Sequence, residues 1–214
     1  MTPKIPLILK LKRTNHKKIA EAQDLIMQEL YKVFDKAVLH GGTSLWRCYN
    51  GNRFSEDIDA YIPRDLKKIS LLFKNFEKIG FIIEKKKIGE NSIYSNLNFN
   101  GTFVRFEALF KTVKGFLQEY TKADANLITI YTLTPEELII EKSNTYQKRL
   151  KIRDLYDVFF LLRHVKINGE IKKSLNNLIK NFKEPPDKAD LKIIIIEGIV
   201  PTVEDMLLRI KREI

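Results

Sequence analysis

Residues 81–110 hold three runs of strand character, 81–88, 92–99 and 102–110, and Asn100-Gly101 joins the last two. An Asn-Gly pair between alternating apolar runs is a two-residue hairpin signal, so the middle of the chain is committed to a sheet. Two further strands are expected at 37–40 and 57–62, with helices at 16–34 and 64–79, and another strand or extended segment at 127–133. Thr134-Pro135-Glu136-Glu137 then reads as a helix start, with threonine at the cap, proline at N1 and Glu137 closing a capping box. Beyond it the pattern is mainly helical, broken near Gly169 and at Glu184-Pro185-Pro186. The expected class is α+β: an α/β core over 1–132 with a mixed sheet, then a helical part over 133–214.

Composition excludes several alternatives. Hydrophobic residues make up 44% of 214, enough for a real core, while nine glycines and seven prolines argue against a disordered chain. No apolar stretch approaches the length needed to span a bilayer, and the run from Ile5 to Leu9 is too short for a secretion signal. A single cysteine, Cys48, cannot close an intramolecular disulfide, which suits a reducing cytoplasm. Thirty-eight Lys and Arg against twenty-seven Asp and Glu give a formal charge of +11, a field that favours polyanions.

Chemistry concentrates in His40-Gly41-Gly42-Thr43-Ser44 and Arg53-Phe54-Ser55-Glu56-Asp57-Ile58-Asp59. Gly41 and Gly42, between a strand and a helix expected to start near Thr43, let the backbone approach a phosphate and aim N–H groups at it. Thr43 and Ser44 add hydroxyls. Asp57 and Asp59, two apart on a strand, leave by one face, and a divalent cation is the usual remedy for their repulsion. Hard oxygen ligands suit Mg2+ or Mn2+. Glu107 shares a face with Arg105 on the run 102–110. It reaches the same metal if its strand lies beside that of Asp57 and Asp59, or pairs with Arg105 on a solvated face.

Downstream, Lys142 and Arg149 are seven apart on one helical face, and a continued helix would keep Arg153 near them. Asp154 and Asp157 share a flank where Arg149 or Arg153 can pair with them. The cluster either serves the reaction or docks the helical part onto the sheet.

These two blocks resemble the AbiEii/AbiGii nucleotidyltransferase toxin family of the DNA polymerase β-like superfamily. Gly41-Gly42-Thr43-Ser44-Leu45 with Arg53 to Asp59 is similar to its first motif. Lys142, Arg149 and Lys151-Ile152-Arg153-Asp154-Leu155-Tyr156-Asp157 are similar to its later lysine and Arg-Asp-x-x-Asp motifs. The resemblance implies transfer of a nucleoside monophosphate from an NTP, with release of pyrophosphate, to an acceptor such as an RNA or tRNA 3′ end, and an antitoxin protein as partner. It implies metal binding by Asp57 and Asp59, a triphosphate held by Gly42, Thr43 and Ser44, and Lys142 on nucleotide phosphates. Asp154, with Asp157, would complete the cluster. Arg53 would neutralise phosphate or orient the aspartates. Transfer to a small molecule or protein, and a non-catalytic nucleic-acid-binding role, are the alternatives.

Overall fold

A computed structural model describes residues 6–214; Ile5, where the N-terminal apolar run begins, lies outside the described residues. The chain forms two compact units. The first comprises the residues up to Asn50 and Phe54–Thr132, the second Gly51–Arg53 and Leu133–Ile214.

In the first unit the order is α1 (Leu7–Lys10), α2 (Thr14–Val33), β1 (Val38–His40), α3 (Gly41–Cys48), β2 (Ile58–Ile62), α4 (Leu66–Lys78), β3 (Ile82–Ile88), β4 (Ser92–Phe99), β5 (Thr102–Phe110), β6 (Phe116–Thr121) and β7 (Leu127–Thr132). The strands make one seven-stranded sheet in the order β3-β4-β5-β2-β1-β7-β6. It is mixed: β1 runs parallel to β7 and β2 parallel to β5, and the other neighbours are antiparallel.

One face of this sheet is apolar because alternate residues of each strand are. Ile58, Ala60 and Ile62 on β2 and Val104, Phe106 and Ala108 on β5 are buried. Helices α2 and α4 pack together on that side. The first brings Ile19, Ala22, Ile26 and Leu30, the second Ile69, Leu72, Phe73 and Phe76, each set at helical spacing. Phe76 meets Phe106 edge-on with ring centres 5.8 Å apart. Asp65 starts α4 by accepting the backbone N–H groups of Lys67 and Lys68, both at 3.0 Å. At the hairpin between β4 and β5, Asn100 and Gly101 take φ of 51° and 78°, the left-handed pair a tight turn between twisted strands requires. The opposite face of β2 and β5 carries Asp59, Tyr61, Arg105 and Glu107.

Three local features depart from the sequence expectation. Strand β6 has no apolar face to betray it: Phe116 and Leu117 are exposed and only Tyr120 is fully buried. Helix α3 begins at Gly41 itself, two residues before the expected start. The helix carrying Lys142 and Arg149 does not continue to Arg153, because Leu150 turns left-handed at φ 50° and Lys151 is extended.

The second unit holds α5 (Pro135–Arg149), α6 (Ile152–Leu161), α7 (Gly169–Lys180), a 3-10 turn (Lys188–Asp190), α8 (Leu191–Ile194) and α9 (Val203–Arg212). Thr134 and Glu137 form the expected capping box at the start of α5. Leu138, Leu155, Val158, Leu161, Leu175 and Met206 are among its fully buried core residues. Residues 51–53 join it through a bridge from Arg53 to Ile195 and the Ile196 N–H donated to the Asn52 carbonyl at 2.8 Å. No described helix is long and apolar enough to cross a membrane.

Candidate active site

Strand register gathers the acidic residues of the first unit. Asp59 on β2 stands opposite His40 on β1 and opposite Glu107 on β5, so these side chains leave the sheet on one face in one row. Asp57 immediately precedes β2 on the same face, alongside Arg105. His40 is not loose in this row: its ring stacks on Tyr61 with centres 3.9 Å apart.

Gly41 is the residue this packing most depends on. It sits at φ 73°, and a Cβ there would overlap the Asp59 Oδ2 atom. Only glycine allows the Asp59 carboxylate to lie against the first residue of α3. The N-cap residue His40 makes no side-chain cap hydrogen bond, and the backbone at Gly41, Gly42 and Thr43 has the donor character of a helix N-terminus. The hydroxyls beside them are engaged by the protein. Thr43 donates to the Asp57 carbonyl, tying the helix start to the chain entering β2. The Ser44 hydroxyl is 2.6 Å from that of Thr132. Both side chains are fully buried.

The loop that carries Asp57 is also held from behind. Gln23, fully buried on α2, donates its Nε2 to the Ser55 carbonyl at 2.9 Å. Its Oε1 accepts from Arg47 at 3.3 Å, and Arg47 also donates to the Ala20 and Thr121 carbonyls. The Arg47 guanidinium lies 4.2 Å from the centre of the Trp46 ring. Gln23 and Arg47 carry no motif; the only sequence trace is polarity at positions that helical spacing turns inward.

Arg105 already supplies a positive charge among the carboxylates. Its Nη2 donates to Asp57 Oδ2, and its Nε lies 2.9 Å from Glu107 Oε1. Partial burial works against the charged guanidinium, yet Asp57 first, then Glu107 and Asp59, hold its pKa above the ordinary arginine value. Hard oxygens on one face that gather a cation fit a divalent ion in chemistry and charge. As the side chains stand, no three His, Cys, Asp or Glu among the described residues enclose a metal position, and Arg105 fills the space between Asp57 and Glu107.

In the helical unit the second block of expected residues forms a buried ion cluster. Arg53 grips Asp157 with Nε at 2.5 Å and Nη2 at 2.6 Å. Arg149 grips Asp154 with Nε at 2.7 Å and Nη2 at 2.8 Å. Lys142 Nζ lies 3.2 Å from Asp157 and 3.7 Å from Asp154. Both carboxylates are fully buried, and Lys142 and Arg53 nearly so. Burial alone would raise the Asp157 carboxyl, but Arg53 and Lys142 outweigh it and hold it below the usual carboxylate range. Arg153, on α6, is half-buried. The pairing of Asp157 with Arg53 had no signal in the spacing, since 104 residues separate them.

Against known families, residues 25–205 match the model described as the nucleotidyl transferase AbiEii toxin of type IV toxin–antitoxin systems. Among solved structures the chain is similar to JHP933 from Helicobacter pylori, at 20% identity and a TM-score of 0.63, covering 93% of this chain and 88% of that one. It is equally similar in fold to the "putative nucleotidyltransferase from H. pylori", at 21% identity, TM-score 0.63, and 93% and 91% coverage. No match was found among curated proteins.

Proposed function

The chain is a nucleotidyltransferase of the AbiEii toxin family, and on that premise we propose that it moves a nucleoside monophosphate from an NTP to an RNA 3′ end, a tRNA foremost, on the open sheet face beside Gly41. The observation that carries this reading is the row in which Asp59 lies between Glu107 and the glycine-led start of α3. Carboxylates and phosphate-directed N–H groups thereby meet at one place, the pairing that phosphoryl transfer needs.

Asp57 and Asp59, with Glu107 as third ligand, would hold the divalent cation, Mg2+ or Mn2+. Such a cation, when bound, supplies activation of the acceptor hydroxyl and charge neutralisation at the departing pyrophosphate. The N–H groups of Gly41, Gly42 and Thr43 receive triphosphate oxygens. Thr43 and Ser44 contribute by fixing the helix start to β2 and β7 through Asp57 and Thr132. Arg105 keeps the carboxylates together without the cation and must give up Asp57 for one to enter.

In the helical part, 133–214, Lys142 and Asp154 remain our candidates for the reaction, with Arg149, Arg153 and Asp157 supporting them and Arg53 bracing Asp157. A nucleotide phosphate would have to draw Lys142 from its two carboxylates. The toxin–antitoxin character of the family supports an antitoxin protein as partner.

The acceptor and nucleotide are tested by incubating the protein with each α-labelled NTP in turn, Mg2+ and total RNA. Label in RNA of tRNA size is the expected result. Label confined to small molecules or protein, with none in RNA, would replace the RNA reading.

A further inference from the structure

The catalytic row continues beyond Glu107. Glu107 stands opposite Tyr94 on β4, and Tyr94 opposite Lys87 on β3, so Asp59, Glu107, Tyr94 and Lys87 follow one another across four strands on the open face. The neighbouring row runs from Arg105 to Asn96 and on to Lys85. Adjacent strands lie about 4.8 Å apart, which places Tyr94 about 5 Å and Lys87 about 10 Å along the sheet from Glu107.

The triple lysine of β3 is therefore not one uniform edge. A register shift between Ile83 and Lys85 brings Lys85 to the open face, with its Nζ 5.2 Å from the centre of the Tyr94 ring. Lys86 points to the helix-covered side, 4.8 Å from the Phe73 ring centre. Lys85 and Lys87 are exposed and Tyr94 is half-buried. Phe103, 59% exposed, and Leu109, 45% exposed, flank Arg105 and Glu107 on β5. Glu84, on the same side, is engaged by the Asn98 amide at 3.0 Å.

We infer that the open face of β3, β4 and β5 is the docking surface for the single-stranded 3′ end of the RNA acceptor, with Tyr94 stacking on its terminal bases and Lys85 and Lys87 holding its phosphates. The inference rests on the RNA reading proposed above and deepens it. An aromatic ring bordered by two lysines, in line with the carboxylates, combines stacking and phosphate pairing, the two interactions that bind single strands without sequence reading. A paired base offers no open face to such a ring, so an unpaired end is the form that fits. Exposed apolar neighbours extend the stacking surface, and the cations supply charge complementarity to the phosphates.

The test uses the full chain, a single-stranded RNA with a free 3′ hydroxyl, and a blunt duplex of the same sequence. Lys85→Glu with Lys87→Glu should weaken binding of the single strand at least about tenfold and flatten its logarithmic salt slope by about 1.4, or about 0.7 for each phosphate no longer neutralised. Tyr94→Ala should raise the RNA KM about tenfold while the NTP KM stays put, and Tyr94→Phe should restore it. The duplex should bind more weakly than the single strand. If the wild-type protein labels RNA but folded variants, checked by thermal unfolding, keep its RNA KM and salt slope, the docking surface is wrong and the RNA reading stands. If the wild-type protein labels no RNA, both fall. An equal rise of both KM values in Tyr94→Ala would also overturn it, by marking a general distortion of the site.

Discussion

Arg105 donates to Asp57 from the neighbouring strand, and the same guanidinium reaches Glu107 two residues along its own. The pair holds a cation among three carboxylates that would otherwise repel one another. Arg105→Gln should therefore lower the melting temperature in EDTA, and Mn2+ should raise it more in the variant than in the wild type. Thermal unfolding of both proteins with EDTA and with Mn2+ checks this; an equal metal-induced shift would mean that Arg105 and the metal do not compete.

Asp57→Asn changes side-chain volume little but removes a proposed metal ligand. Transfer should fall by more than about a hundredfold, beyond the 10–100-fold typical of residues that only orient a ligand. Its thermal stability should stay near the wild-type value, because the relieved repulsion among the carboxylates offsets the lost ion pair with Arg105. Labelled transfer and a melting curve on one preparation separate a lost ligand from a lost fold.

Gly41→Ala tests the close approach of α3 to Asp59. The left-handed backbone costs at least about 1 kcal/mol with a side chain, and the new methyl overlaps the Asp59 carboxylate. Both stability and transfer should drop. A control at Gly101, also left-handed but with open space where a Cβ would sit, should lose stability alone.

Lys142→Ala should destabilise the protein by less than the about 3–5 kcal/mol that stranding a buried charge costs, since Arg53 still pairs Asp157 and Arg149 still pairs Asp154. Activity of the folded fraction then reports whether Lys142 also meets nucleotide. The cluster has a pH signature. Asp157 is held below its ordinary pKa of 3.8, so its stabilising contribution is present above that value and lost as the pH falls through the lowered folded one. Asp157→Asn should be less stable than the wild type at neutral pH, and the gap should shrink below about pH 4.

Much of the proposed catalytic face was legible in the sequence because it obeys short-range rules. Asp57 and Asp59 share a face by period, Glu107 and Arg105 by the same period, and Asn100-Gly101 and Thr134 to Glu137 announce their turn and cap. That β2 and β5 are parallel neighbours is a long-range fact, and it alone joins Asp59 to Glu107. The pairing of Arg53 with Asp157 and the support of Ser55 by Gln23 were beyond reach for the same reason. The break at Leu150 was missed because a leucine in left-handed geometry has no local signal.

The most direct measurement is transfer of label from an α-labelled NTP to tRNA by the wild-type protein and by Asp59→Asn, with Mg2+ and equal folded concentrations. RNA labelling by the wild type and a loss of more than about a hundredfold in the variant are expected. Labelling by Asp59→Asn at the wild-type rate would contradict a catalytic metal site at this carboxylate.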